Sequence, residues 1–258
     1  MMAMTRVAGL AVIIMVILVA IFAPLLATYS PFKSSVDFLQ GASSAHWFGT
    51  DDLGRDIYSR VLFGARTSLF IGIGAAVVAI FLGVPIGIVA GYFGGRVDVL
   101  AVQVIDLFVA LPGLVLALII TTMIGPTLPN LMFVLGFVMW PTVARLVRGQ
   151  TLNIREAVYV EAAKALGGKP IWIIWTHIWP NILRIVSAQF AITVSFAIFT
   201  SASLSFLGLG IPPPTPDWGG MVRTGFDFLS VTPLVSMAPG AAVAITVLGF
   251  YLVGSSIE

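Results

Sequence analysis

Between Asp106 and Arg145 the chain runs through 38 residues without a single Asp, Glu, Lys or Arg. A spanning helix needs roughly 20 apolar residues to cross about 30 Å of hydrocarbon, so a run of this length restricts the fold before any motif is read. A second such run covers 67–95. The composition agrees: only 24 of the 258 residues (13 basic, 11 acidic) carry charge, 59% are hydrophobic and the mean hydropathy is +1.07. One compact domain cannot hide that much apolar surface, so its outside must meet lipid. With a net charge of +2 there is no basic stripe of the kind nucleic acid requires. The absence of cysteine removes disulfides, thiolate metal sites and Cys nucleophiles together.

Reading from charge to charge gives six spanning helices and an all-α membrane protein. The first, 7–29, is longer than the apolar core of a secretory signal and is expected to be retained. The second lies in 67–95, whose Gly72, Gly74, Gly83, Gly87 and Gly91 mark close helix packing. The turn Gly125-Pro126-Thr127-Leu128-Pro129-Asn130 divides the long run into halves too short to span alone. The third span is therefore expected to begin near Leu100 and to contain Asp106, and the fourth to end at Arg145 and Arg148, whose side chains can snorkel. The fifth lies in 185–209 and the sixth in 233–257.

The basic residues set an orientation. With the N-terminus inside, the cytoplasmic side holds Arg6, Arg96, Arg145, Arg148, Arg155, Lys164, Lys169 and Arg184. The outside then holds Lys33, Arg55, Arg60, Arg66 and Arg223, so both termini are expected in the cytoplasm. The chain divides into residues 1–66, a first span followed by an outer loop with an interfacial helix, and residues 67–258, a five-helix core.

The largest inside loop, 148–181, carries helix punctuation. Asn153 can cap a helix with Glu156 reaching back, and Gly167-Gly168 followed by Pro170 can end it, which gives a helix of about 14 residues. Within it Glu161-Ala162-Ala163 presents two small side chains that a partner backbone can approach closely; a solvated connector made of good helix formers is the plainer reading of the tripeptide alone.

Glu161-Ala162-Ala163, Leu166-Gly167 and Pro180-Asn181 together resemble the EAA loop of the permease subunits of ATP-binding-cassette importers. His177 and Trp179 depart from the Ile and Leu usual before that Pro. Two further stretches resemble signatures of the second, C-type permease of dipeptide, oligopeptide and nickel importers. One is His46-Trp47-Phe48-Gly49-Thr50-Asp51-Asp52-Leu53-Gly54-Arg55-Asp56, with Ser59-Arg60 and Gly64-Ala65-Arg66. The other is Ser205-Phe206-Leu207-Gly208-Leu209-Gly210, with Pro213-Pro214-Thr215-Pro216 and Trp218-Gly219.

The resemblance implies a type I importer permease fold, with a cytoplasmic coupling helix between spans four and five. Glu161, Ala162, Ala163, Leu166 and Gly167 would dock an ATPase subunit. It implies a heteromeric complex in the bacterial inner membrane: a second homologous permease, one or two ATPase subunits that hold ATP and Mg, and an extracytoplasmic peptide-binding protein. This chain would bind no cofactor. The cargo implied is a di- or oligopeptide, with nickel or another small solute as the alternative within the family and secondary transport as the rival class. Such permeases usually carry a short basic tail after the last span; none follows Glu258, which leaves a truncated C-terminus as the expectation.

Other polar residues are read beside the blander alternative. Asp51, Asp52 and Asp56 near His46 offer hard-cation ligands, but Asp52 with Arg55 and Asp56 with Arg60 at helical spacing point to an amphipathic, ion-paired helix on the outer interface. Pro212 to Pro216 reads as a stiff extended loop at the outer mouth. Asp106, inside a span, marks an ion pair with Arg145 or Arg96, or a transport pathway. The hydroxyls of span five, among them Thr193, Thr200 and Ser201, line a wet pathway or satisfy themselves on the preceding turn. Neither a Gly-rich loop ending in Lys-Ser or Lys-Thr nor HExxH occurs, and His46 and His177 fall on opposite sides, so no metal centre or catalytic residue is expected.

Overall fold

The computed structural model describes residues 2–257, with side chains for 4–257. Its long elements are α1 (Met2–Leu26), α2 (Ile57–Phe93), α5 (Leu128–Arg155), α8 (Trp179–Leu204) and α10 (Leu234–Ser255). Between them lie α3 (Gly95–Val109), α4 (Gly113–Ile124), α6 (Val158–Ala165), α7 (Pro170–Ile173) and α9 (Trp218–Phe226). A π-helical turn, Ile174–Ile178, joins α7 to α8, and a second, Ser205–Leu209, follows α8. Among the described residues the only β pairing is an isolated bridge between Thr50 and Asp56.

Five helical stretches are long and apolar enough to cross a membrane: Met4–Leu26, Ile57–Phe93, Leu128–Arg155, Pro170–Leu209 and Leu234–Ser255. A sixth crossing exists only if α3 and α4 act together, and they meet at 81°. At about 22 and 18 Å, neither crosses alone. The third span expected from Leu100 is therefore bent in two, and Pro112 is the cause. It lacks the N–H that would continue the ladder, disfavours helical geometry at Leu111, and with φ −58° and ψ 117° starts α4 afresh.

The bundle is organised by the contact between α2 and α5. Gly83, Gly87 and Gly91 fall at intervals of four on one face of α2, and α5 lies directly on them. A Cβ at Gly83 would stand 2.7 Å from the Trp140 carbonyl, one at Gly87 2.7 Å from that of Ala144, and one at Gly91 2.8 Å from that of Arg148. The carbonyls of α5 thus repeat at the same spacing of four, so the two helices keep register over two turns. Dispersion between closely packed backbones is the attraction that remains where lipid is as apolar as the side chains. From the other side Gly136 on α5 abuts Val78, whose Cβ would lie 2.5 Å from an added methyl. At the end of α2, Gly94 and Gly95 both have positive φ (67° and 55°), which turns the chain from α2 into α3.

The two ends of the bundle differ. At one, called here the capped end, residues 27–56 form an irregular cover over the start of α2. Asp56 caps α2 by accepting from Ser59 N at 2.8 Å, and Tyr29 N donates to Ser59 Oγ at 3.1 Å. The interfacial helix expected here does not form: 51–56 is a turn, Gly54 within it has φ 68°, and 57–66 are the first turns of the long α2. At the opposite, hairpin end lie α6, α7, the start of α1 and the end of α10, where Arg184 Nε donates to Ile257 O at 2.9 Å. The helices forming this end extend further than expected: α5 continues past Arg148 to Arg155, and the fifth stretch is helical from Pro170.

Candidate functional site

At the hairpin end the loop between α5 and α8 folds as a short helix between two tight turns. Asn153 is not a cap, because α5 runs through it; α6 starts at Val158 after Ala157 and has 8 residues rather than about 14. Its end is as the glycines suggested. Gly167 has φ 80°, Gly168 N donates to Ala163 O at 2.9 Å and Gly167 N to Lys164 O at 3.0 Å, the paired bonds of a Schellman turn.

Only part of the tripeptide faces outward. Val160 and Ala163 are buried against Ile173, Ile178 and Ile182, whereas Glu161 and Ala162 are exposed. Val158, Ala162 and Leu166, four residues apart, form an exposed apolar stripe; Leu166 is 90% exposed and Val158 82%. Ala163 therefore serves this chain's own interior, a correction to the pair of outward alanines.

This short helix is tied to the membrane-length helices. Arg155 Nη1 donates to Gly91 O at 3.1 Å at the end of α2, where the helix's unpaired carbonyls favour a cation. Lys164 Nζ donates to Arg155 O at 3.3 Å and lies 5.7 Å from the centre of the Tyr92 ring. His177, unusual in its motif, is held between Tyr159 and Trp172, with ring centres 5.8 and 5.2 Å away.

Two ion pairs fasten α3 to α5. Arg145 Nη2 lies 2.5 Å from Asp106 Oδ1, so of the two partners expected for Asp106 the structure selects Arg145; both side chains are more than half exposed. Arg148 grips Asp98 with both arms of its guanidinium, through Nε to Oδ1 and through Nη2 to Oδ2 at 2.7 Å. Asp98 was not singled out by the sequence, although two acids before the uncharged run mirror the two arginines after it. Of the hydroxyls named for a pathway, Thr193 and Ser201 are 3% exposed within this chain and Thr200 is half-buried. Gln189 Nε2 donates to Thr193 Oγ1 at 3.3 Å.

At the capped end the two long motifs, some 150 residues apart, meet. Trp218 Nε1 donates to Val61 O at 2.9 Å and the indole lies over Gly64, where a Cβ would come within 2.6 Å of the ring. Arg60 Nη1 donates to Pro31 O at 2.7 Å and Pro214 O at 3.3 Å. Arg55 Nε pairs with Asp51 Oδ2 at 2.7 Å, and His46 Nδ1 lies 2.9 Å from Asp56 Oδ1. The acids thus serve arginines, a histidine and a helix cap; among the described residues no group of three His, Cys, Asp or Glu side chains converges as a metal site would require. Burial, and then the neighbouring Asp51, push the Asp52 carboxyl above the usual carboxylate range. Burial does the same to Asp217, which caps α9 by accepting from Gly220 N at 3.0 Å.

This architecture matches known proteins. Residues 83–257 match the family described as binding-protein-dependent transport system inner membrane component, and residues 5–42 the N-terminal TM domain of oligopeptide transport permease C. A dipeptide transport system permease protein of Alkalihalophilus pseudofirmus is 40% identical over 251 residues, 97% of this chain and 83% of that one. An oligopeptide transport system permease protein of Bacillus subtilis is 38% identical over 97% of this chain and 82% of its own. A glutathione transport system permease protein of Escherichia coli is 38% identical over 95% of this chain and 82% of its own. Among solved structures, the MetNI methionine ABC transporter in an inward-facing conformation superposes with a TM-score of 0.64 at 17% identity, over 76% of this chain and 93% of that one. The fold is that of a type I ABC importer permease. With a family match over residues 83–257 and near-full-length relatives at about two-fifths identity, the chain belongs to the binding-protein-dependent transport system inner membrane components.

Proposed function

We propose that this chain is the membrane-embedded permease subunit of an importer for di- or oligopeptides, powered by ATP hydrolysis on separate subunits. The observation that carries the reading is the near-full-length similarity to permeases named for dipeptide, oligopeptide and glutathione transport. In this reading the hairpin end faces the cytoplasm, with both chain ends, and the capped end faces a peptide-binding protein. A second, related permease completes the pathway, and ATP and Mg are held by the partner ATPases rather than by this chain. The exposed stripe of Val158, Ala162 and Leu166, with Glu161 beside it, is the docking surface, while Ala163 and Gly167 shape it from behind. Because α6 is bound to the end of α2 through Lys164 and Arg155, movement of a docked subunit is passed directly to a membrane-length helix.

The test is uptake of a labelled dipeptide into vesicles holding the assembled importer, with and without an inactivating substitution confined to the ATPase. Uptake should stop in the substituted complex while a proton gradient is maintained. Uptake that persists and follows the proton gradient would instead identify a secondary transporter.

A further inference from the structure

The capped end contains a cavity of about 360 Å³, walled by the start of α2, the segment after α8, and α9. Five charged side chains line it: Arg55, Arg60 and Arg223 against Asp51 and Asp217. Two of the arginines are engaged. Arg55 is paired with Asp51 at 2.7 Å, and Arg60 lies 3.6 Å from the same carboxylate while donating to the Pro31 and Pro214 carbonyls. Asp217 is spent on the α9 cap, and its burial favours the neutral form.

Arg223 is different. Among the described residues it has neither an ion pair nor a hydrogen bond; its guanidinium rests on the bare backbone of Gly208, at the cavity wall, where any side chain at 208 would collide with it. One buried polar group at the wall lacks a full hydrogen bond: Arg60 Nε, on a residue 5% exposed, reaches Asp51 Oδ2 only at 3.6 Å. A buried donor without a close acceptor is costly, and here it borders, together with the exposed and unpaired Arg223, a space that holds an excess of positive charge.

We propose that this cavity receives the terminal carboxylate of the incoming peptide, with Arg223 as its principal cation; the inference rests on the peptide-import reading above. A guanidinium presents a planar fork of donors that matches a carboxylate in two parallel bonds. The cavity is at the small end of those that enclose organic ligands, a size for one end of a peptide rather than the whole of an oligopeptide. Its positive excess repels the ammonium end, so the peptide enters carboxylate first. Closing the cavity over that carboxylate gives Arg223 the partner that this chain does not supply.

The experiment uses the whole importer, with both permeases, its ATPases and its binding protein, in proteoliposomes. Uptake of labelled trialanine is compared with that of trialanine amide, which lacks the terminal charge. Each variant's rate is divided by the wild-type rate for the same peptide, so that any preference of the binding protein cancels. Arg223→Gln should lower trialanine uptake about 10-fold, the scale of one charge-assisted bond, and change amide uptake less than about twofold. Arg223→Lys, which keeps the charge, should retain most trialanine uptake. Because Arg223 has no ion pair or hydrogen bond among the described residues, neither substitution removes one, and Arg223→Lys keeps a long side chain beside Gly208. Equal losses for the two peptides, or no loss for either, would overturn the carboxylate site while leaving peptide import standing. ATP-driven uptake of neither peptide by the wild type would overturn the import reading and the site together.

Discussion

Substitution of Gly87 by Ala isolates the contact that organises the bundle. The added methyl would stand 2.7 Å from Ala144 O and 2.8 Å from Val147 Cβ, against about 3.5–4.0 Å for relaxed contacts, so α5 must retreat by close to an ångström. Replacing Gly by Ala in a helix also gains about 1 kcal/mol of propensity, which hides part of the cost. Gly149→Ala in α5 supplies the correction: an added Cβ there meets nothing within 4 Å and φ is not positive, so it carries the same gain without the clash. The difference between the two variants is then the packing term alone, about 1–3 kcal/mol for an overpacked contact. Substituting Gly83, Gly87 and Gly91 together should cost less than three times as much, because one shift of α5 relieves all three clashes. The assay is unfolding of the purified complex in an SDS titration, followed by tryptophan fluorescence. If Gly87→Ala matched Gly149→Ala within about 0.5 kcal/mol, the close approach of α2 and α5 as the organising contact would be refuted.

Three other outcomes follow from the geometry. Leu166→Glu, which puts charge on the exposed end of the α6 stripe, should release the ATPase in pull-downs without affecting the stability of this chain, whereas Ala163→Trp should overpack the chain's own core by about 1–3 kcal/mol and lower stability first; the reverse pattern would show that α6 docks by its other face. Asp98→Asn leaves the half-buried Arg148 fork with a weaker acceptor and should cost about 1–3 kcal/mol in the same titration, while exchanging the charges of Asp106 and Arg145 together should recover assembly lost in either single reversal; no recovery would mean the two do not act as a pair. Asp217→Asn keeps an acceptor for Gly220 N and removes a buried charge, so at neutral pH it should be at least as stable as wild type, with Asp217→Ala about 1 kcal/mol worse. Because the folded-state pKa of Asp217 is raised, wild-type stability should gain as pH falls through that value towards 3.8, an increment absent from the Asn variant.

The membrane-length helices were legible because one physical quantity, the length of chain without charge, maps directly onto the thickness of hydrocarbon. Where that quantity was not decisive, the reading failed for identifiable reasons. Counting uncharged residues carries the third span through Pro112 because it ignores a missing N–H, although Pro followed by Gly113 is a recognisable break. The interfacial helix was inferred from acids and arginines at helical spacing. Of the two pairs named, Asp52 and Arg55 approach only to 3.9 Å, and Asp56 caps α2 and meets His46 rather than Arg60; Arg55 takes Asp51 at 2.7 Å in a turn rather than a helix, because Gly54 between them has φ 68° and a tight turn brings residues i and i+4 together as well as a helix does. In the 148–181 loop, Asn153 and Glu156 satisfied the spacing of a capping box, yet nothing before them stopped α5, and a helix already packed along α2 continues over a cap signal that would only nucleate a new one.

Which residues meet was harder to read than which elements form, and the two halves of the site show why. The pairing of Asp106 with Arg145 was within reach, since both flank one uncharged run and must return to the same end of the bundle. The direction of a side chain on α6 was not, because in a helix of 8 residues the inward face is set by what lies beneath, here Ile173, Ile178 and Ile182 from later in the chain. Adjacent alanines differ by about 100° around the helix axis, so a motif that names both cannot have both against a partner and both against the core. Ala163 being 8% exposed and Ala162 open resolves that choice. On the docking proposal the tripeptide contains two constraints rather than one: a small exposed residue for a partner's approach at Ala162, and a small residue at Ala163 where the helix rests on its own chain. At the capped end the same logic joins the two long motifs, since Gly64 is small for Trp218 and Gly208 is bare for Arg223. The second of these glycines leaves the exposed guanidinium at a cavity wall with neither an ion pair nor a hydrogen bond among the described residues.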